Sequence, residues 1–100
     1  MSKLQAVVVN SLDNVATAMA TLKTGTLVKL SEEGDTTVEL REDISLGHKF
    51  SIHQIESDSA IVKYGEVIGY ATRTIQPGEH VHIHNVLGNR GRGDLSKEKP

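Results

Sequence analysis

The sequence predicts a mostly β domain of short strands with one short helix near its start. Three observations lead there. The stretch Glu79-His80-Val81-His82-Ile83-His84-Asn85 alternates imidazole and aliphatic residues, and a strict period of two belongs to a strand. The apolar segments elsewhere are short and rich in Val and Ile, and Gly or small polar residues interrupt them every few positions. There is also an internal echo. Ile44-Ser45-Leu46-Gly47-His48-Lys49-Phe50-Ser51-Ile52 lies on Ile75-Gln76-Pro77-Gly78-Glu79-His80-Val81-His82-Ile83, and Leu22 to Leu30 is a looser third copy. Each copy reads as an apolar residue, two spacers, a Gly and then an alternating strand, so a Gly turn aims each strand back across the core. The spacing of the copies is too irregular for a solenoid.

Taken in order, Lys3 to Val9 is Val-rich and predicts a first strand. Asn10-Ser11-Leu12-Asp13 then offers capping oxygens, Val15, Ala18, Met19 and Leu22 fall at helical spacing, and Gly25 is placed to end a helix. A short amphipathic helix is therefore expected between about Asp13 and Lys23. Thr26 to Leu30 and Thr36 to Leu40 flank the polar loop Ser31-Glu32-Glu33-Gly34-Asp35 and predict a hairpin. Lys49 to Ile55, Ala60 to Val62 and Glu66 to Ala71 are further extended segments, broken by Glu56-Ser57-Asp58-Ser59 and by Gly65. In the ladder that follows, Val81 and Ile83 are expected to point inward and His80, His82 and His84 outward on one face. From residue 88 apolar side chains almost vanish, so residues 1–87 are expected to form the domain and 88–100 a flexible tail or linker.

Composition narrows the function classes. One hundred residues fit a single small domain with a modest core, to which a partner would add stability. A formal charge of -2, one Phe, two Tyr and no Trp give neither a basic field nor a stacking platform, which argues against nucleic acid. Without cysteine there is no disulfide, thiolate nucleophile or Cys-type zinc site. The apolar run from Ala6 to Val9 is too short for a signal-peptide core or a membrane span. A soluble, cytoplasmic protein is the expectation.

Several groups can carry chemistry, each with a plainer alternative. Three imidazoles on one strand face could bind a cation, take a proton or grip an anion; they could equally be a wet polar face. Gly47-His48-Lys49 places an imidazole and an ammonium just after a turn, suited to an anionic group or simply to a polar turn. Lys63-Tyr64-Gly65 sets a cation and a phenol beside a Gly, the alternative being a turn with a half-buried tyrosine. Arg90-Gly91-Arg92-Gly93-Asp94 could fork a phosphate or carboxylate, or could be solvated. No Gly-rich phosphate loop, His-Glu-x-x-His or nucleophile elbow is present.

The order of these blocks resembles the altronate/galactarate dehydratase family, in its N-terminal or small-subunit SAF domain. The blocks that carry the resemblance are Asp13-Asn14-Val15-Ala16, Ile44 to Lys49, Ile61 to Gly69, Ile75 to Gly78, His80 to Asn85 and Gly88 to Asp94. The resemblance implies a β-clip fold and a role as the small part of a metal-dependent hydro-lyase acting on a sugar acid, with a divalent iron or manganese ion in the assembled enzyme. It implies a large catalytic dehydratase subunit as partner, since the region that would hold most of the active site is absent from these residues. By the same resemblance His48, His82 and His84 are the catalytic candidates, His82 and His84 the metal candidates, and Lys49, Lys63, Tyr64 and Asn85 the substrate-binding candidates. His80 and His53 are less clearly placed. The alternatives are a stand-alone SAF module that binds carbohydrate or docks a partner, and the small subunit of a sulfolactate sulfo-lyase, which splits a carbon–sulfur bond instead.

Overall fold

A computed structural model describes residues 5–8, 10–30 and 37–88. Nine strands are defined among them: β1 (Ala6–Val7), β2 (Val15–Ala18), β3 (Leu27–Lys29), β4 (Thr37–Glu39), β5 (Lys49–Ser51), β6 (Ala60–Lys63), β7 (Glu66–Ala71), β8 (His80–Val81) and β9 (Val86–Gly88). They form a four-stranded sheet in the order β1-β2-β5-β8, the hairpin β3-β4, and a three-stranded sheet β6-β7-β9, with antiparallel neighbours throughout. The mostly β expectation holds, and so do the first strand, the first hairpin and the strand over Glu66 to Ala71. Of the tail expected over 88–100, Gly88 ends β9 and residues 89–100 lie outside the described residues, as does the segment 31–36.

The four-stranded sheet separates two apolar clusters. Ala6, Ala16, Ala18 and Phe50 project to one face and pack with Leu22, Val28, Val38, Leu40 and Ile44. Val15 and Val81 project to the other and pack with Ile55, Ile61, Ala71 and Ile75. Register accounts for the division, because Ala16 lies opposite Phe50 and Ala6 opposite Ala18, whereas Val15 is odd in the same strand.

This arrangement overturns the helix expected from Asp13 to Lys23. The segment is instead β2, and no helix occurs among the described residues. Val15, Ala16 and Ala18 are all buried because β2 is an inner strand with a cluster on each face, and a strand covered on both faces carries an unbroken apolar run that also satisfies helical spacing. Asp13, read as a cap, accepts hydrogen bonds from Asn10 N–H (3.2 Å) and Gly65 N–H (2.8 Å) and so ties two turns together. Met19, expected on the buried face, is 55% exposed.

The echo in the sequence is a fourfold structural motif. Leu22, Ile44, Ile55 and Ile75 each precede a turn closed by an i to i+3 bond, in which Thr26, His48, Ser59 and Glu79 N–H donate to the carbonyls of Lys23, Ser45, Glu56 and Gln76 (2.9–3.1 Å). The third residue of each turn has positive φ: Gly25 at 88°, Gly47 at 84°, Asp58 at 70° and Gly78 at 89°. A type II turn needs that conformation, and Pro77 sits in the last copy where such a turn favours proline. The copies pair, Leu22 bridging Ile44 and Ile55 bridging Ile75, one pair in each cluster. The last turn launches β8 and the second launches β5, which sets His80 beside the residues around His48.

Candidate functional site

The imidazole ladder is not one continuous strand. β8 ends at Val81, and residues 82–85 form a turn closed by Asn85 N–H donating to His82 O (3.0 Å). Val81 is buried as expected, but Ile83 is 84% exposed at the tip of the turn, which corrects its inward placement. The imidazoles nevertheless gather. His80 lies opposite Phe50 in the sheet, and His48 lies two residues before Phe50, so both stand on the same face. The turn folds His82 and His84 back toward them. Ring centroids are 4.6 Å apart for His48 and His82, 5.1 Å for His48 and His80, and 5.3 Å for His80 with each of His82 and His84.

His48 Nδ1 and His80 Nε2 are 2.9 Å apart, a hydrogen bond in which one ring donates and the other accepts. The approach to His80 is held firmly. Ser51 N–H donates to Glu79 O (3.0 Å), Gly78 N–H donates to Ser51 O (2.8 Å), and the buried Ser51 hydroxyl donates to Gln76 O. His80 N–H donates to Glu42 Oε2 (3.3 Å), bringing a carboxylate to the edge of the cluster. Burial holds the His80 pKa below the ordinary imidazole value of 6.5, the neighbouring His48, His84 and His82 add to that, and Glu42 opposes it. His80 is thereby biased toward the neutral form, which accepts hydrogen bonds and ligates metals.

Two groups of donors converge here. One ligand atom from each of His48, His80 and His82 lies within 4.8 Å of the others, and the same holds for Glu42, His80 and His84. Imidazole ligands sit about 2.1 Å from a metal, so two of them are about 3.0 Å apart at a right angle and about 3.4 Å apart at the tetrahedral angle. The His48 and His80 nitrogens, 2.9 Å apart and joined by a hydrogen bond, are near that spacing, so an ion would take the place of the shared proton. Imidazole with carboxylate suits divalent first-row metals such as iron, and carboxylate also suits manganese. On spacing and donor chemistry, the residues present fit such an ion.

The remaining candidates divide. Lys49, half-buried on β5 between Thr17 and Val81 in register, lines a cavity of about 240 Å³ with His82, Ile83, Ile68, Val81 and Val86. Lys63 and Tyr64 sit at the β6–β7 turn and line a different cavity, of about 130 Å³, with Val7, Asp13, Val15 and Thr17. There the Lys63 ammonium lies 3.3 Å from the Tyr64 ring centroid, a cation–π contact, and Tyr64 takes a positive φ of 57°. Thr17, which lines the second cavity, and Lys49, which lines the first, pair across β2 and β5 and so project from the face of the sheet opposite His80. Asn85 is fully buried: its amide donates to His80 O (2.8 Å) and its Oδ1 accepts from His82 N–H (3.0 Å). His53 is exposed and belongs to neither donor group.

Sequence reasoning missed Glu42 and undervalued His80. Nothing local marks either. Glu42 arrives because Arg41 N–H donates to Gly78 O (2.9 Å), a contact between segments far apart in the chain. What sets His80 apart from the other histidines of the ladder is its register opposite Phe50, which leaves it partly buried and in both donor groups.

The fold and the cluster together define a small, all-strand domain that presents a set of imidazoles at the end of its central sheet. Residues 4–89 match the family model described as the altronate/galactarate dehydratase SAF domain, and the chain belongs to that family. It is similar to the altronate dehydratase of Escherichia coli (strain K12), with 40% identity over 97 residues that make up 97% of this chain and 19% of that protein. It is also similar to the (2R)-sulfolactate sulfo-lyase subunit alpha of Chromohalobacter salexigens, 40% identical over 52% of this chain and 55% of that one. A third relative, the (2R)-sulfolactate sulfo-lyase subunit alpha of Paracoccus pantotrophus, is 33% identical over 63% of this chain and 94% of its own length. The chain thus spans about a fifth of the altronate dehydratase it matches. No helix of the described residues is long and apolar enough to cross a membrane.

Proposed function

We propose that this chain is the small component, as a separate subunit or an N-terminal domain, of a cytoplasmic metal-dependent dehydratase acting on a sugar acid of the altronate or galactarate type, and that its fold is the β-clip. The observation that carries the proposal is the convergence of His48, His80, His82 and His84 with Glu42 in a domain of this family. Removing water from a sugar acid requires a base for the proton beside the carboxylate, an acid for the leaving hydroxyl, and positive charge to hold the enolate-like intermediate. His82 and His84, both exposed, are available to a substrate and to a large catalytic subunit. His80, neutral and partly buried, is suited to ligation rather than to proton delivery at neutral pH. His48, His80 and His82 would hold a divalent iron or manganese ion, which when bound supplies Lewis-acid stabilisation of charge developing on the substrate. Lys49, beside His82 in the same cavity, is placed to pair with a substrate carboxylate.

A second reading keeps the site and changes the reaction to carbon–sulfur cleavage of sulfolactate. It is favoured by one observation: the Paracoccus subunit alpha is matched over 94% of its length, so a protein lying almost wholly within the matched region is named as a subunit. Co-expression with an adjacent reading frame for a large dehydratase subunit tests both readings. Co-purification, a retained metal, and turnover of altronate or galactarate support the first. Turnover of sulfolactate alone supports the second. A co-purified complex that turns over none of the three overturns both.

A further inference from the structure

We infer that Asn85 is the positioning residue of the imidazole cluster: its side chain sets the turn that folds His82 and His84 against His48 and His80. The inference rests on the cluster being a metal site, as proposed above, and adds a residue that touches no ligand. Three hydrogen bonds join Asn85 to the segment it organises. Its Nδ2 donates to His80 O (2.8 Å), its Oδ1 accepts from His82 N–H (3.0 Å), and its own N–H donates to His82 O (3.0 Å). A fourth bond, from Thr72 N–H to Asn85 O (3.0 Å), ties the turn to the end of β7.

The chemistry of the side chain is specific to this task. A primary amide offers donors and an acceptor from one planar group, and here one of each is used, on two backbone sites two residues apart. Aspartate has the same shape and no donor, so it would set a buried carboxylate against the His80 carbonyl. Serine is too short to reach both sites. Without the clamp, an uninterrupted period-two strand from His80 to His84 would carry His82 and His84 along an edge, with Ile83 packed inward. What is observed is Ile83 at 84% exposure and His82 stacked 4.6 Å from His48. The buried amide therefore decides whether these residues form a line or a cluster.

Residues that orient the ligands of a metal site typically change its affinity by about 10- to 100-fold when replaced, and Asn85 should fall in that range. The experiment uses the full chain and cobalt(II) as the probe. Cobalt affinity and the ligand-field spectrum are measured at low temperature for the unmodified chain, Asn85→Asp, Asn85→Ser and Val38→Ala. Val38, buried in β4 within the other cluster, supplies a destabilised control remote from the turn. The expected result is cobalt binding by the unmodified chain and by Val38→Ala with one shared spectrum, and a 10- to 100-fold weaker affinity with an altered spectrum in folded Asn85→Asp or Asn85→Ser. Equal affinity and an unchanged spectrum in a folded Asn85 variant overturn the inference. If the unmodified chain binds no cobalt, the metal reading fails instead. Should neither Asn85 variant fold, amide exchange on the unmodified chain decides: the His82 amide, bonded to Asn85 Oδ1, must be protected although the residue is exposed, and rapid exchange there overturns the inference.

Discussion

Gly78→Ala is expected to be among the most damaging single-methyl additions to this protein, and the reason is local. A Cβ on residue 78 would lie 2.1 Å from Glu39 O and 3.1 Å from Glu39 C, with φ already at +89°. The left-handed conformation alone costs about 1–2 kcal/mol for a residue with a side chain. Forcing the turn away from a backbone carbonyl adds an overpacking cost of about 1–3 kcal/mol. The displacement also strains the bonds from Arg41 N–H to Gly78 O (2.9 Å) and from Gly78 N–H to Ser51 O (2.8 Å). Each is worth about 0.5–1.5 kcal/mol. A loss of about 3–8 kcal/mol follows, against a total stability of about 5–15 kcal/mol for a domain. Gly47→Ala provides the comparison, since Gly47 has φ +84° but nothing within 4 Å of its added Cβ. Only the conformational cost of about 1–2 kcal/mol applies there. For a domain of this size each kcal/mol moves the Tm by about 4–8 °C. Melting followed by far-ultraviolet circular dichroism should therefore show Gly78→Ala lowered by at least about 12 °C, or unfolded, and Gly47→Ala by about 4–16 °C. Equal shifts for the two variants would refute the close approach of the turn to Glu39.

The other expectations concern the imidazoles. In the metal-free chain the folded-state pKa of His80 lies below the unfolded value, so the unfolded state binds more protons and stability falls as pH drops through about 6.5 until the folded pKa is passed, the effect fading out about one pH unit above 6.5. Urea midpoints between pH 7 and pH 5, measured with chelator present, should fall for the unmodified chain and fall less for His80→Asn; parallel profiles would remove His80 as the cause. His82→Ala and His84→Ala alter exposed side chains and should change stability by about 0.5 kcal/mol or less. In the assembled enzyme the same variants should lower turnover about a hundredfold or more if either imidazole is the general acid or base, and should weaken metal retention. A large drop in Tm with unchanged specific activity would make these imidazoles structural.

Much of the fold is written in the turns. Three of the four copies of the turn motif are visible in the sequence because glycine holds the positive-φ position at 25, 47 and 78. The fourth, from Ile55 to Ser59, is hidden because Asp58 adopts φ 70° in glycine's place, and a short polar side chain tolerates that conformation without being diagnostic of it. The helix error has a different origin. In Val15-Ala16-Thr17-Ala18 the apolar residues serve two cores at once, and periodicity cannot tell a strand covered on both faces from one turn of helix. Which strands become inner ones is a property of topology, and no window along the chain contains it.

The site was legible in its residue types and illegible in its geometry. Period-two reasoning put three imidazoles together, and they are together, but through a turn that the same reasoning forbids. The residue that makes the difference, Asn85, reads in sequence as a polar end to the ladder. Its role follows from a rule visible only in three dimensions: among the described residues the buried polar side chains are Asp13, Ser51 and Asn85, and each bonds the backbone of a turn. Asp13 holds the turn that carries Lys63 and Tyr64 through Gly65 N–H, Ser51 holds the turn before His80, and Asn85 holds the turn after it. A buried polar group left without a partner costs about 1–3 kcal/mol, so moving any of these turns forfeits the bond and exposes that penalty. A domain with so small a core has little apolar surface with which to fix its loops. It fixes three of them instead with a satisfied buried polar side chain each, and those three turns present or approach Lys63, Tyr64, His80, His82 and His84.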